Sequence, residues 1–97
     1  MGKKIYKLYM VKPRDAWYQL SSEEQASVLQ KNGESLEKAG GKSIVSADCS
    51  WSSEEWMFFG LEEYPDIESE QQHVKNMNDK NLFKYMDSKA ILGTEME

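Results

Sequence analysis

The segment Trp56-Met-Phe-Phe-Gly-Leu61 constrains the fold more than any other. Read as a strand, it puts Met57, Phe59 and Leu61 on one side and Trp56 and Phe58 on the other, because successive side chains alternate. Both sides then require cover, so the strand belongs inside a layered structure. The chain has 97 residues, which is room for one hydrophobic core, and residues 1–97 are expected to form a single domain.

The flanking segments supply the layers. Lys4 to Lys12 reads as a first strand, closed by Pro13, which cannot donate to a ladder. A loop through Trp17 and Leu20 leads to Ser21-Ser22-Glu23-Glu24, a capping box that starts a helix running to about Ala39. Its inward stripe reads Gln25, Leu29, Asn32, Gly33, Leu36 and Ala39, with Gly33 allowing close approach to a sheet, and Gly40-Gly41 ends it. Lys42 to Trp51 is a second strand with Val45, Ala47, Cys49 and Trp51 on one side and Ser46, Asp48 and Ser50 on the other. Ser52-Ser53-Glu54-Glu55 connects it to the third strand, Trp56 to Glu63. Asp66 caps a second helix with the stripe Ile67, Gln71, Val74 and Met77. The run Asn76 to Asn81 interrupts that pattern, Asp79 can cap a further short helix, and Lys89 to Met96 is the last strand.

The order strand–helix–strand–strand–helix–strand predicts a ferredoxin-like α+β fold: a four-stranded antiparallel sheet with both helices on one face, since such crossovers are right-handed. The other face, carrying Tyr6 or Tyr9 and one apolar row of the third strand, has no cover from this chain. Two sheets packed face to face would hide it, so a homodimer is expected, with a cavity between the sheets. If Trp51 pairs with Trp56, then Ser46, Asp48, Ser50, Met57, Phe59 and Leu61 face that cavity. Such walls suit a small hydrophobic or aromatic ligand.

Charge and composition remove other classes. The net charge is −5, from Lys+Arg 12 against Asp+Glu 17, which argues against nucleic acid as a partner. No apolar run suggests a membrane span or signal peptide, and Tyr6 stands where a myristoylation motif needs Ser or Thr. A single cysteine, Cys49, makes no internal disulfide and points to a cytoplasmic setting, with Cys49 as a small buried hydrophobe. No metal site is expected from one histidine and one cysteine without spaced partners, nor any nucleotide site without a Gly-rich phosphate loop. The expected cofactor list is therefore none.

The residues left to carry chemistry are few. His73 is the only histidine, the one side chain that titrates near neutrality unperturbed, and sits at the edge of its helix stripe. Asp48 is an unusual mid-strand carboxylate whose pKa a dry cavity would raise, making it a proton-transfer partner for His73. Tyr9 and Arg14, with Ser46, Ser50, Met57, Phe59 and Leu61, are the candidate substrate contacts; Arg14 could hold an anionic group at a barrel mouth.

Two stretches also carry a resemblance. Trp56-Met-Phe-Phe-Gly-Leu-Glu-Glu-Tyr-Pro-Asp-Ile-Glu-Ser-Glu-Gln-Gln-His73, continuing through Leu82-Phe-Lys-Tyr85, resembles antibiotic-biosynthesis monooxygenase domains of the dimeric α/β-barrel superfamily. The front half, with Trp17-x-x-Leu-Ser-x-Glu-Glu24, is similar to small darcynin-like proteins. The resemblance implies a homodimeric barrel acting without cofactor as a monooxygenase, isomerase, cyclase or lyase on an aromatic or polyketide-like compound. Alternatives are a non-catalytic ligand-binding or regulatory dimer, and a haem-binding or haem-degrading relative. Haem-degrading relatives use an Asn on strand one, a Trp on strand three and a His on helix two; Trp56 and His73 match the last two, and strand one here has no Asn.

Overall fold

A computed structural model describes residues 3–96. The elements are β1 Ile5–Pro13, α1 Asp15–Tyr18, α2 Ser22–Lys38, β2 Lys42–Asp48, β3 Phe58–Tyr64, α3 Ile67–Asp79, a 3₁₀ turn Leu82–Lys84 and β4 Met86–Gly93. The strands form one antiparallel sheet in the order β2-β3-β1-β4, as the ferredoxin-like reading requires. The strand that is apolar on both sides, β3, lies in the interior of the sheet.

Local chemistry explains most boundaries. The Ser21 hydroxyl accepts from the Glu24 amide at 3.1 Å while the Glu24 carboxylate accepts from the Ser21 amide at 2.9 Å, so the capping box is complete. Asp66 accepts from the Ser69 amide at 2.8 Å and starts α3. Gly40, at φ +85°, ends α2 in the left-handed region. Four expectations are corrected here. The loop after β1 contains the helical turn α1, with Trp17 buried. Helix α3 runs through Asn76–Asp79 without a break, so Asp79 closes it and Asn81, at φ 58°, precedes the 3₁₀ turn. Strand β4 starts at Met86 rather than Lys89, because the Pro13 end of β1 still offers a pairing edge there. A side chain at Gly33 would meet nothing within 4 Å, and the inward face of α2 instead carries Val28, Asn32, Ser35 and Leu36.

The β2–β3 register also differs from expectation, by one residue. Asp48 pairs with Phe58 and Ala47 with Phe59, rather than Trp51 with Trp56. The turn chemistry sets this. The Asp48 carboxylate accepts from the Ser50 amide and hydroxyl at 2.9 and 2.7 Å, and the Cys49 carbonyl accepts from the Ser52 and Ser53 amides, so the chain leaves the sheet directly after Asp48. Trp51 lies in that loop at 84% exposure, and Cys49 is buried beneath it. A one-residue slip exchanges faces. Val45 and Ala47 therefore join Phe59 and Leu61 on the open side, while Ser46 and Asp48 fall on the helix side.

The open side is apolar, as expected: Leu8, Val45, Phe59 and Ile91 are 44%, 50%, 38% and 65% exposed. Between the helices and the sheet lies a core of Val11, Trp17, Leu36, Tyr64 and Leu82, and this core is incomplete.

Candidate functional site

The space that apolar side chains leave unfilled is a cavity of about 280 Å³ between the helix side of the sheet and helices α2 and α3, open to solvent at one side. This is a different space from the cavity expected between the sheets of two copies: within the chain the concave site is under the helices. Tyr9 and Val11 of β1, Phe58 of β3 and Met86 of β4 form its floor, with Val28 and Leu29 of α2, Met77 of α3 and Phe83 around it. Tyr9 crosses Gly60 toward β2: a Cβ at Gly60 would stand 2.6 Å from the Tyr9 ring carbon Cζ, so glycine is what lets the ring lie there. The Tyr9 and Phe58 rings meet edge to face, 6.3 Å between centroids.

One end of this cavity is polar. His73 is 1% exposed, so the histidine expected at the helix edge is fully inside. Its Nδ1 lies 3.1 Å from the Ser35 hydroxyl, which is also 3.4 Å from the His73 carbonyl. The Ser35 hydroxyl reaches both Nδ1 and the carbonyl, and which ring nitrogen carries the proton depends on which of the two receives the hydroxyl hydrogen. No described residue bonds Nε2, and His73 lines the cavity. Burial, reinforced by the Lys7 charge and opposed by Glu70, pushes the His73 pKa down to about 4, so the ring is neutral at physiological pH.

Around the histidine, Lys7 of β1 pairs with Glu70 of α3 at 2.9 Å, with side chains 11% and 8% exposed. Glu62 of β3 accepts from the Tyr64 hydroxyl at 2.6 Å. Burial raises the Glu62 pKa, against the lowering effects of Tyr64 and Lys7, and burial with the Glu62 contact raises that of Tyr64. Lys7 and Glu62 both line the cavity.

Of the residues singled out from sequence, the structure brings His73 and Tyr9 together at the cavity. Asp48 is exposed at the end of β2, and its hydrogen bonds from Ser50 hold its pKa below the usual range, opposite to the shift expected of a cavity acid. Ser50 belongs to that same turn. Arg14 pairs with Asp87 at the surface through its Nε at 2.8 Å. Ser46 lies beside Tyr9 and eases ionisation of its phenol, while burial raises it more strongly. Met57 precedes β3 and donates its amide to the Val11 carbonyl, and Phe59 and Leu61 face the open side. Sequence reading missed Lys7, Ser35, Glu62, Tyr64 and Glu70. The signal was present in the phase: Lys7 shares the alternation of Tyr9 and Val11, Glu62 that of Phe58, and Glu70 precedes His73 by one helical turn. Among the described residues no cluster of His, Cys, Asp and Glu could hold a metal ion by itself, and no helix is long and apolar enough to cross a membrane.

No protein-family model matches the chain. No curated protein matches it either. Solved structures do. A W146Y R173Q mutant of chlorite dismutase from Candidatus Nitrospira defluvii superposes with a TM-score of 0.75 at 14% identity over 100% of this chain and 42% of that one. The same enzyme in complex with imidazole gives 0.76 at 11% identity over 97% and 40%. A protein of unknown function from Rhodopseudomonas palustris gives 0.70 at 19% identity over 100% and 85%. The chain thus spans about two-fifths of the chlorite dismutase chains it matches. At these identities the likeness establishes architecture: this chain has the ferredoxin-like α+β fold that chlorite dismutases share.

Proposed function

We propose that the chain is a haem-binding protein, with His73 as the residue that would hold the iron in the helix-side cavity. What supports this is His73, a neutral imidazole whose Nδ1 sits beside the Ser35 hydroxyl and whose Nε2 has no bonding partner among the described residues, on the lining of a largely apolar cavity. Iron-ligating histidines use such a nitrogen, with the other ring N–H donating to a fixed acceptor. The lining residues would serve haem in two ways: His73 would hold the iron, and Tyr9, Phe58, Met77 and Phe83 would supply apolar contact. The cavity volume, about 280 Å³, is small for a tetrapyrrole, and the cavity is open to solvent at one side. Bound haem would supply redox chemistry; the protein's part is ligation, orientation and exclusion of water. Chlorite as a substrate is not carried over from the neighbours, and the only arginine, Arg14, is engaged with Asp87 at the surface. Haemin titration tests the reading: a saturable Soret shift in the wild type, lost in His73→Ala, supports it, and no shift in the wild type removes it.

The same small volume favours a second reading, a cofactor-independent enzyme acting on an aromatic compound of one or two rings. His73 would then be the proton acceptor, and turnover of a quinol or enol panel by haem-free protein, lost in His73→Ala, would establish it. In either case the open sheet face is proposed to be covered by a second copy of the chain, and the lone cysteine suits a cytoplasmic setting.

A further inference from the structure

The cavity's polar end carries an excess of negative charge. Glu62 is 6% exposed and lines the cavity; one of its oxygens accepts from Tyr64, and the other has no hydrogen-bond partner among the described residues. His73, neutral and 1% exposed, lies on the same lining. The one cation there, Lys7, is already engaged by Glu70 at 2.9 Å. The charges at this end, Lys7, Glu70 and Glu62 with His73 neutral, therefore sum to −1 when the carboxyls are ionised. Beyond it the walls are apolar, and Tyr9 and Phe58 turn aromatic surface to the space.

From this we infer that the haem-free cavity selects a small lipophilic amine, its ammonium on Glu62 and its hydrocarbon body against Tyr9 and Phe58. An ammonium brings hydrogens and the missing positive charge to the largely buried Glu62 carboxylate, and a charge-assisted hydrogen bond is about twice as strong as a neutral one. The volume of about 280 Å³ limits the body to one or two rings. This rests on the helix-side cavity being the ligand site, and not on iron being bound there.

Three probes of one shape and different charge test it: phenethylamine, 2-phenylethanol and phenylacetate, titrated calorimetrically into the haem-free full chain at neutral pH. The amine should bind about tenfold tighter than the alcohol, with phenylacetate weakest. In Glu62→Gln, which keeps an acceptor for Tyr64, the amine and the alcohol should come within about twofold of one another. Equal affinities in the wild type, a gap that survives Glu62→Gln, tighter phenylacetate binding, or no saturable binding of any probe overturns the inference. The wild-type comparison stands even where the variant fails to fold. A haemin titration of the same sample is scored separately: a Soret shift without amine preference overturns the amine assignment alone, and amine preference without a Soret shift overturns haem binding alone.

Discussion

Replacing Ser35 by alanine probes the hydroxyl on which the state of His73 depends. Ser35 is 0% and His73 1% exposed, so no water can take the place of the lost oxygen. The substitution removes a hydroxyl 3.1 Å from Nδ1 and 3.4 Å from the His73 carbonyl, leaving a buried ring nitrogen without that partner. Such a group costs about 1–3 kcal/mol, and the small void left by one oxygen adds little. With a urea dependence of about 1 kcal/mol per molar for a domain of this size, the unfolding midpoint should fall by about 1–3 M. Haemin affinity should fall by about 10–100-fold, the usual cost of losing the partner that orients a ligating histidine. Imidazole nitrogen shifts add a direct readout: the wild type should show a single tautomer, the variant a mixture. An unchanged midpoint together with an unchanged tautomer refutes the reasoning. Lost stability with unchanged haemin affinity would reduce Ser35 to a link between α2 and α3.

Other consequences follow from the buried charges and the exposed faces. Lys7→Met should cost about 3–5 kcal/mol by stranding Glu70, and Lys7→Met with Glu70→Leu should recover most of that, as read by urea unfolding. His73, held near 4 when folded against an ordinary 6.5, gives up stability as the pH falls from about 6.5 toward 4, because the unfolded chain then binds the proton that the folded one refuses. That loss, about 3 kcal/mol at its full extent, should vanish in His73→Gln; the raised Glu62 pKa acts oppositely, costing stability as the pH rises above 4.5, and should remain. Gly33→Ala should stabilise by about 0.5–1 kcal/mol, since the site is helical with open space around it; a loss of stability would mean the helix packs there after all. Light scattering should give twice the 11.2 kDa chain mass, and Phe59→Lys with Ile91→Lys should give the single-chain mass.

The fold was legible because its signals are local. The capping box at Ser21, the Asp66 cap, the Gly40 stop and the two-sided apolar segment around Phe58 each act within a few residues, and together they fix the order of the elements. The register of β2 was not legible, since it depends on where Asp48 and Ser50 turn the chain, and periodicity cannot see a turn that starts three residues early. That slip moved Asp48 from an expected cavity wall to an exposed turn. The site was half legible: Tyr9 and His73 stand out as aromatic and titratable residues. The polar ring around them did not, because a search for apolar stripes discards Lys7, Glu70 and Ser35, whose burial is stable only as partners of residues distant in sequence. Polar residues at inward phase on neighbouring elements are the pattern to look for in such chains.

Where ligand binds is the most direct question, and amide shift mapping with gallium protoporphyrin, a diamagnetic stand-in for haem, answers it. Binding in the helix-side cavity predicts the largest shifts at Tyr9, Phe58, His73, Met77 and Met86, with Leu8, Phe59 and Ile91 little changed. Shifts concentrated at Leu8, Phe59 and Ile91, with His73 unmoved, would place the ligand on the open sheet face and contradict His73 as its anchor.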